Sequence, residues 1–140
     1  MSTSRRFERR IESLAEMVAF SAATLADRQV DTEQHMAIDF AIEELFTNML
    51  KYSLAGTNPV EIAFECDAGS VAVTLVDTGV EPFDITAAPD ADVDLPLVQR
   101  RPGGLGLHLV RRLVDELSYE YRPATRESRI RFRVPYRRPT

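Results

Sequence analysis

The sequence predicts an α+β fold, a two-layer α/β sandwich with a mixed or antiparallel sheet of about four strands and three helices on one face. Three observations predict it. Two amphipathic segments with helical spacing occupy residues 5–53. Two alternating segments suited to strands follow over residues 60–77. A third helical pattern near residues 107–117 then leads into a last alternating stretch. At 140 residues the chain is one domain long and can bury a core without staples.

The first helix is expected from Arg5 to Leu25, with Ser4 as N-cap. Phe7, Ile11, Leu14, Ala15, Val18, Ala22 and Leu25 mark its apolar side. This leaves almost no room for a strand before it. The second helix opens at Asp31, with Gln34 placed for a capping box, and runs to about Ser53. Ala37, Ile38, Ala41, Ile42, Leu45, Met49 and Tyr52 form its expected buried stripe. Gly56, Thr57, Asn58 and Pro59 break the pattern.

Val60, Ile62, Phe64 and Cys66 alternate with Glu61, Ala63 and Glu65, the period of a half-buried strand. Asp67 to Ser70 read as a hairpin turn. Residues 71–77 are apolar on both faces, which places that strand inside the sheet. Thr78 and Gly79 end it. Glu81 to Pro102 holds four prolines and four aspartates and keeps neither period. A loop this long in a small domain is usually functional. The third helix is expected to run to about Leu117, burying Leu109, Val110, Leu113, Val114 and Leu117. Tyr119 and Tyr121 suggest a strand, and Ile130, Phe132 and Val134 alternate with three arginines in another.

Composition narrows the function. Hydrophobic residues make up 44% and charged residues 28%, values of a water-soluble domain. The single cysteine, Cys66, excludes an internal disulfide and a Cys-cluster zinc site. His35 and His108 lie far apart and make a weak case for a metal centre. No apolar run reaches membrane-spanning length and no signal-peptide core is present, so a cytoplasmic location without membrane attachment is expected. Residues 27–99 carry 15 acidic side chains against Arg28 and Lys51, the one lysine. The remaining bases are arginines near the two ends. An acidic middle argues against a nucleic-acid binder, which needs a continuous basic face. The basic ends read as solvated surface.

Three clusters carry candidate chemistry. Glu44, Asn48 and Lys51 stand at offsets of four and seven on one helix, almost in line. They suit either a solvated polar stripe or a carboxylate, an amide and a cation aimed at one ligand. Carboxylate and amide oxygens suit Mg²⁺, and a glutamate there could act as general base toward a hydroxyl. Asp77 and Gly79 end an apolar strand. They form either a simple turn or a buried carboxylate in need of a donor, such as an adenine amino group, beside a glycine that admits a flat ligand. Gly103, Gly104 and Gly106 sit where the long loop meets a helix, as a hinge or as a phosphate-accepting N-terminus. This is neither a Walker loop nor a Rossmann fingerprint, since neither the Gly-Lys-Ser/Thr nor a parallel βαβ context is there.

In this order the three clusters resemble a known set. Glu44-x-x-x-Asn48, Asp77-x-Gly79 and Gly103-Gly104-Leu105-Gly106 resemble the N, G1 and G2 boxes of the GHKL ATP-binding fold, the histidine kinase-like ATPase domain. Asp77 to Asp84, the acidic loop of residues 90–101 and Gly103 to Val110 resemble its anti-sigma factor and serine-protein kinase group. The resemblance covers about residues 32–134. It implies that Asn48 ligates Mg²⁺ and that Glu44 is the general base or orients the attacking hydroxyl. Asp77 would accept from the adenine amino group and Gly79 would line the base pocket. Gly103, Gly104, Leu105 and Gly106 would fold over the phosphates.

Lys51 and Tyr52 resemble the histidine-kinase form of the N box, where the lysine reaches phosphate and the tyrosine borders the base. Residues 80–103 would form the ATP lid of a single domain spanning 1–140, with Arg100 or Arg101 closing onto phosphate. Ser128 would sit near the adenine. Three departures stand out: Glu81 replaces the second G1 glycine, Tyr52 stands where many relatives have histidine, and the family's N-terminal strand is missing.

The function this implies is an ATP-binding serine/threonine-protein kinase, dependent on Mg²⁺ and ATP. It would act as an anti-sigma factor in partner switching and phosphorylate a serine of a STAS-domain antagonist. A sigma factor and a second copy of the chain are further partners that the resemblance allows. The alternative is a non-catalytic, ATP-dependent partner-switching module. A catalytic fragment of a histidine kinase is disfavoured, because His35 lies too near Asn48 to be a phosphoacceptor.

Overall fold

The computed structural model describes residues 2–53, 56–67, 69–84, 86 and 104–136. Eight elements follow in order: β1 (Ser2–Phe7), α1 (Ser13–Asp27), α2 (Thr32–Tyr52), β2 (Val60–Cys66), β3 (Ser70–Thr78), α3 (Gly104–Leu113), β4 (Asp115–Arg122) and β5 (Glu127–Pro135). The five strands form one antiparallel sheet in the order β1-β2-β3-β5-β4. The α+β sandwich is as the sequence predicts, with one strand more than expected.

β3 lies at the centre because both its faces are apolar. Val71, Val73 and Leu75 are fully buried, and Ala72 and Val76 are also covered. Its buried rows meet Ile62 and Phe64 on β2 and Ile130, Phe132 and Val134 on β5. The helices close this face with Met17, Leu25, Ile38, Leu45, Phe46, Met49, Leu107 and Val110. α2 buries Ala37, Ile38, Ala41, Ile42, Leu45 and Met49, the expected stripe. Tyr52 is the exception and is half exposed. Asp31 is the N-cap of α2, but its side chain makes no capping bond. The first turn is held instead by Gln34 and His35 N–H groups donating to the Asp31 carbonyl. In the hairpin between β2 and β3, Asp67 Oδ1 accepts from the N–H groups of Gly69 and Ser70 at 2.9 and 2.7 Å. These bonds hold the Asp67 carboxyl below its usual range.

The N-terminus departs from expectation. Ser2–Phe7 is not the start of a helix but an edge strand paired from Ser2↔Glu65 to Phe7↔Val60. Only Phe7 of its six residues is buried, so the strand shows no alternation that a sequence reading could detect. Ser4 lies in this strand and caps nothing. α1 begins at Ser13 and buries Ser13, Met17, Ser21, Thr24 and Leu25. Three of these, Ser13, Ser21 and Thr24, are small and polar rather than apolar. Ile11 and Val18 face outward instead.

α3 also turns differently from expectation. It buries Leu107 and Val110, with Val114 just beyond its end, while Leu109 and Leu113 are exposed. The helix stops at Leu113, and Leu117 falls in β4. The register of β4 shifts between Asp115 and Ser118, where Glu116 takes a φ of 54°.

The acidic middle and the arginine-rich ends meet across the sheet. Arg133 reaches Asp67 at 3.4 Å, Arg131 reaches Glu65 and Arg6 reaches Glu61, while Arg133 also pairs at 3.0 Å with Glu116 from outside that acidic middle. These pairs face solvent, and each contributes at most about 1 kcal/mol. Arg9, in contrast, is buried and pairs with Asp77.

Candidate functional site

The C-terminal half of α2, the end of β3 and the start of α3 converge at one edge of the sandwich. Helical periodicity lines up Glu44, Asn48, Lys51 and Tyr52 along α2. Asn48 is 97% buried, its exposure being 3%, and its Nδ2 has no partner among the described residues. A polar amide buried without a bond is costly unless a ligand supplies one. Glu44 borders the first turns of α3. A Cβ added at Gly106 would collide with the Glu44 carboxylate, so in this arrangement the carboxylate lies directly against the Gly106 backbone. Burial pushes the Glu44 carboxyl upward, neighbouring Glu43 adds to the rise, and Lys51 opposes it.

Asp77 ends β3, opposite Ser128 on β5. Its side chain is 1% exposed. Oδ1 accepts from Arg9 Nη1 at 2.7 Å, while Oδ2 has no partner among the described residues. Burial pushes this carboxyl up, and the Arg9 guanidinium acts against that push. Arg9 comes from the connection between β1 and α1. It also donates through Nη2 to the carbonyls of Ser53 at 2.9 Å and Met49 at 3.5 Å, at the C-terminal end of α2. Sequence reasoning missed it. Nothing local distinguishes Arg9 from Arg5, Arg6 and Arg10, and its partner stands 68 residues away.

Gly79 follows with φ +70°, the left-handed region, and a Cβ there would lie 2.9 Å from Asn58 Nδ2. Asn58 donates to the Thr78 carbonyl and hydroxyl at 3.2 Å each, so it cannot withdraw without loss. Gly79→Ala is therefore expected to lower stability by about 1–2 kcal/mol, measured as a shift in urea midpoint with unchanged slope. Beyond Gly79 the chain is tied down: Tyr121 donates to the Val80 carbonyl at 2.7 Å, and Phe83 N–H donates to the Tyr119 hydroxyl at 3.1 Å. Phe83 then stacks on Tyr52, centroids 5.5 Å apart and planes 20° apart, and Lys51 Nζ lies 5.8 Å from the Tyr52 ring. Both rings stay about half exposed and offer a flat apolar surface beside the end of α2.

Of the glycine cluster, Gly104 opens α3 and Gly106 meets Glu44. Leu105 lies between them in the first turn. Gly103, Arg100, Arg101 and most of the expected lid lie outside the described residues. The remaining polar candidates are structural. His35 Nε2 bonds the Val30 carbonyl at 2.9 Å and braces the α1–α2 turn. Cys66 is half buried in β2, and burial pushes its thiol up, away from reactivity. Among the described residues no group of three or more His, Cys, Asp or Glu could hold a metal ion. Any Mg²⁺ here would need oxygens from its ligand besides Asn48 and Glu44. The orphaned Asn48 amide fits that demand, since a 180° turn of the amide presents its oxygen in the same place. No helix among the described residues is long and apolar enough to cross a membrane.

An antiparallel five-stranded sheet with three helices on one face, with these side chains at its edge, defines an ATPase-type α+β domain of the GHKL class. Residues 7–133 match the histidine kinase-like ATPase domain, and the chain belongs to that family. Among solved structures, the chain is similar to the RsbU and RsbW domains of Rv1364c from Mycobacterium tuberculosis. The TM-score is 0.64 at 16% identity, over 100% of this chain and 35% of that one. The chain thus spans about a third of that structure, and the likeness is one of fold. The histidine kinase AdeS of Acinetobacter baumannii (TM-score 0.48, 16% identity, 96% and 68% covered) and the mycobacterial sensor histidine kinase MprB (0.47, 15%, 98% and 100%) are more distant. No curated protein matches the chain.

Proposed function

We propose that the chain is a Mg²⁺- and ATP-dependent serine/threonine-protein kinase and anti-sigma factor. Its substrate would be a serine on a STAS-domain antagonist, and a sigma factor would be its alternative partner in the cytoplasm. The observation that carries the nucleotide reading is the pair of buried, unpartnered polar atoms, Asp77 Oδ2 and Asn48 Nδ2, at one edge of a histidine kinase-like ATPase domain. The RsbW domain in the similar structure supports the partner-switching part by its name alone.

Asp77 accepts the exocyclic amino group of adenine, with Gly79 and the Tyr52–Phe83 stack bordering the base. Lys51 and the first turn of α3 at Gly104, Leu105 and Gly106, with Gly103 preceding it in sequence, receive the phosphates, whose charge suits a helix N-terminus. Asn48 would hold Mg²⁺, which would supply neutralisation of the phosphate charge. Glu44 takes the proton of the incoming serine hydroxyl. Its upward-shifted carboxyl makes it a better base than a solvated glutamate, provided it stays ionised. Residues 80–103 would serve as the lid over the nucleotide.

The test uses γ-labelled ATP, the whole chain and a purified STAS-domain protein encoded beside it. Label on a serine of that protein is the expected result. Binding of ATP without any transfer would leave the non-catalytic partner switch as the account of this site.

A further inference from the structure

We infer that Arg9 is a positioning residue for base recognition: it engages one oxygen of Asp77 and leaves the other facing a 6-aminopurine, which it thereby favours over a 6-oxopurine. The inference rests on the nucleotide reading above and adds to it the residue that sets base selectivity. The guanidinium is caged. It donates to Asp77 Oδ1 at 2.7 Å and to the Ser53 carbonyl at 2.9 Å, with a longer contact to the Met49 carbonyl. A Cβ at Gly56 would lie 2.6 Å from Arg9 Cζ, so the loop after α2 closes over it through a glycine. The Arg9 side chain is 9% exposed and that of Asp77 is 1% exposed.

Three contacts and a fitted cage describe a fixed part rather than a plug that must leave. The geometry also divides the carboxylate. Oδ1 is taken by Arg9, and Oδ2 is buried without a partner. A carboxylate held beside a guanidinium can only accept hydrogen bonds. An exocyclic amino group at Oδ2 satisfies it, whereas a carbonyl oxygen there would set two acceptors against each other. Ser128, opposite Asp77 on β5, is neutral, and the Thr78 backbone N–H also acts on the carboxyl, but Arg9 is the one charged group among the described residues that acts on Asp77.

The test compares ATP with inosine triphosphate, which differs in carrying a 6-oxo group, by calorimetry on the whole chain. Wild type, R9Q, R9K, D77N and R9Q/D77N are titrated. R9Q is expected to weaken ATP by about tenfold or more and to weaken inosine triphosphate less, so that the preference narrows. R9K keeps the charge and is expected to recover part of the loss. On the D77N background R9Q is expected to change ATP binding by less than about threefold, because its effect runs through Asp77. If R9Q does not fold, R9K and the neutral R9Q/D77N pair carry the comparison.

Equal losses for both nucleotides overturn the inference, as does an R9Q effect undiminished on D77N. Tighter ATP binding by R9Q would make Arg9 a plug and also overturns it. Wild type binding neither nucleotide overturns the nucleotide reading itself, and this inference with it.

Discussion

Glu44→Gln is expected to lower phosphoryl transfer by at least about 10²-fold while leaving ATP bound. Glutamine keeps the shape that meets Gly106 and removes the base. A second readout comes from stability. Burial raises the folded-state pKa of Glu44 above its unfolded value. A group shifted in that direction adds stability in acid, and that stability is lost as pH rises through the folded pKa. At neutral pH the ionised Glu44 is therefore a stability cost, and Glu44→Gln should melt above wild type. The gap should close as pH falls toward the ordinary glutamate range, about 4.3. Transfer by wild type should fall over the same acid window as the base is protonated. Melting curves and label transfer across a pH series check both. A destabilised Glu44→Gln variant with full transfer would remove Glu44 from the chemistry.

Asp77→Ala is expected to have the largest combined effect. It leaves the Arg9 guanidinium buried without its carboxylate, and breaking such a pair costs about 3–5 kcal/mol. It also deletes the acceptor of the base. Urea denaturation should show the stability loss, and ATP should no longer raise the melting temperature of the folded fraction. Asp77→Ala with near wild-type stability would contradict the buried pair. Asp77→Asn tests the same site more gently, since the amide keeps an oxygen for Arg9.

Much of this site was legible in the sequence because its parts sit on regular elements. Glu44, Asn48 and Lys51 share one helical line, and Asp77 and Gly79 end a strand whose apolar run marks it as central. β2, β3, β5 and the buried stripe of α2 follow from period alone. What stayed hidden depends on tertiary pairing. β1 is an edge strand with one buried residue, so Phe7 reads equally well as the first turn of a helix. The buried face of α1 is built on Ser13, Ser21 and Thr24, residues that hydrophobic patterning passes over. α3 buries Leu107 and Val110 and leaves Leu109 and Leu113 outward, a choice between two apolar faces that the sequence pattern leaves open. Arg9 is the main omission, and only the fold selects it from four N-terminal arginines.

ATP binding at the edge formed by α2, β3 and α3 is tested most directly by calorimetric titration of ATP into the wild-type chain with Mg²⁺. One-to-one binding, tighter than about 1 mM and weakened when Mg²⁺ is chelated, is the predicted result. Absence of binding at millimolar ATP, with Mg²⁺ present and the chain folded, would contradict it.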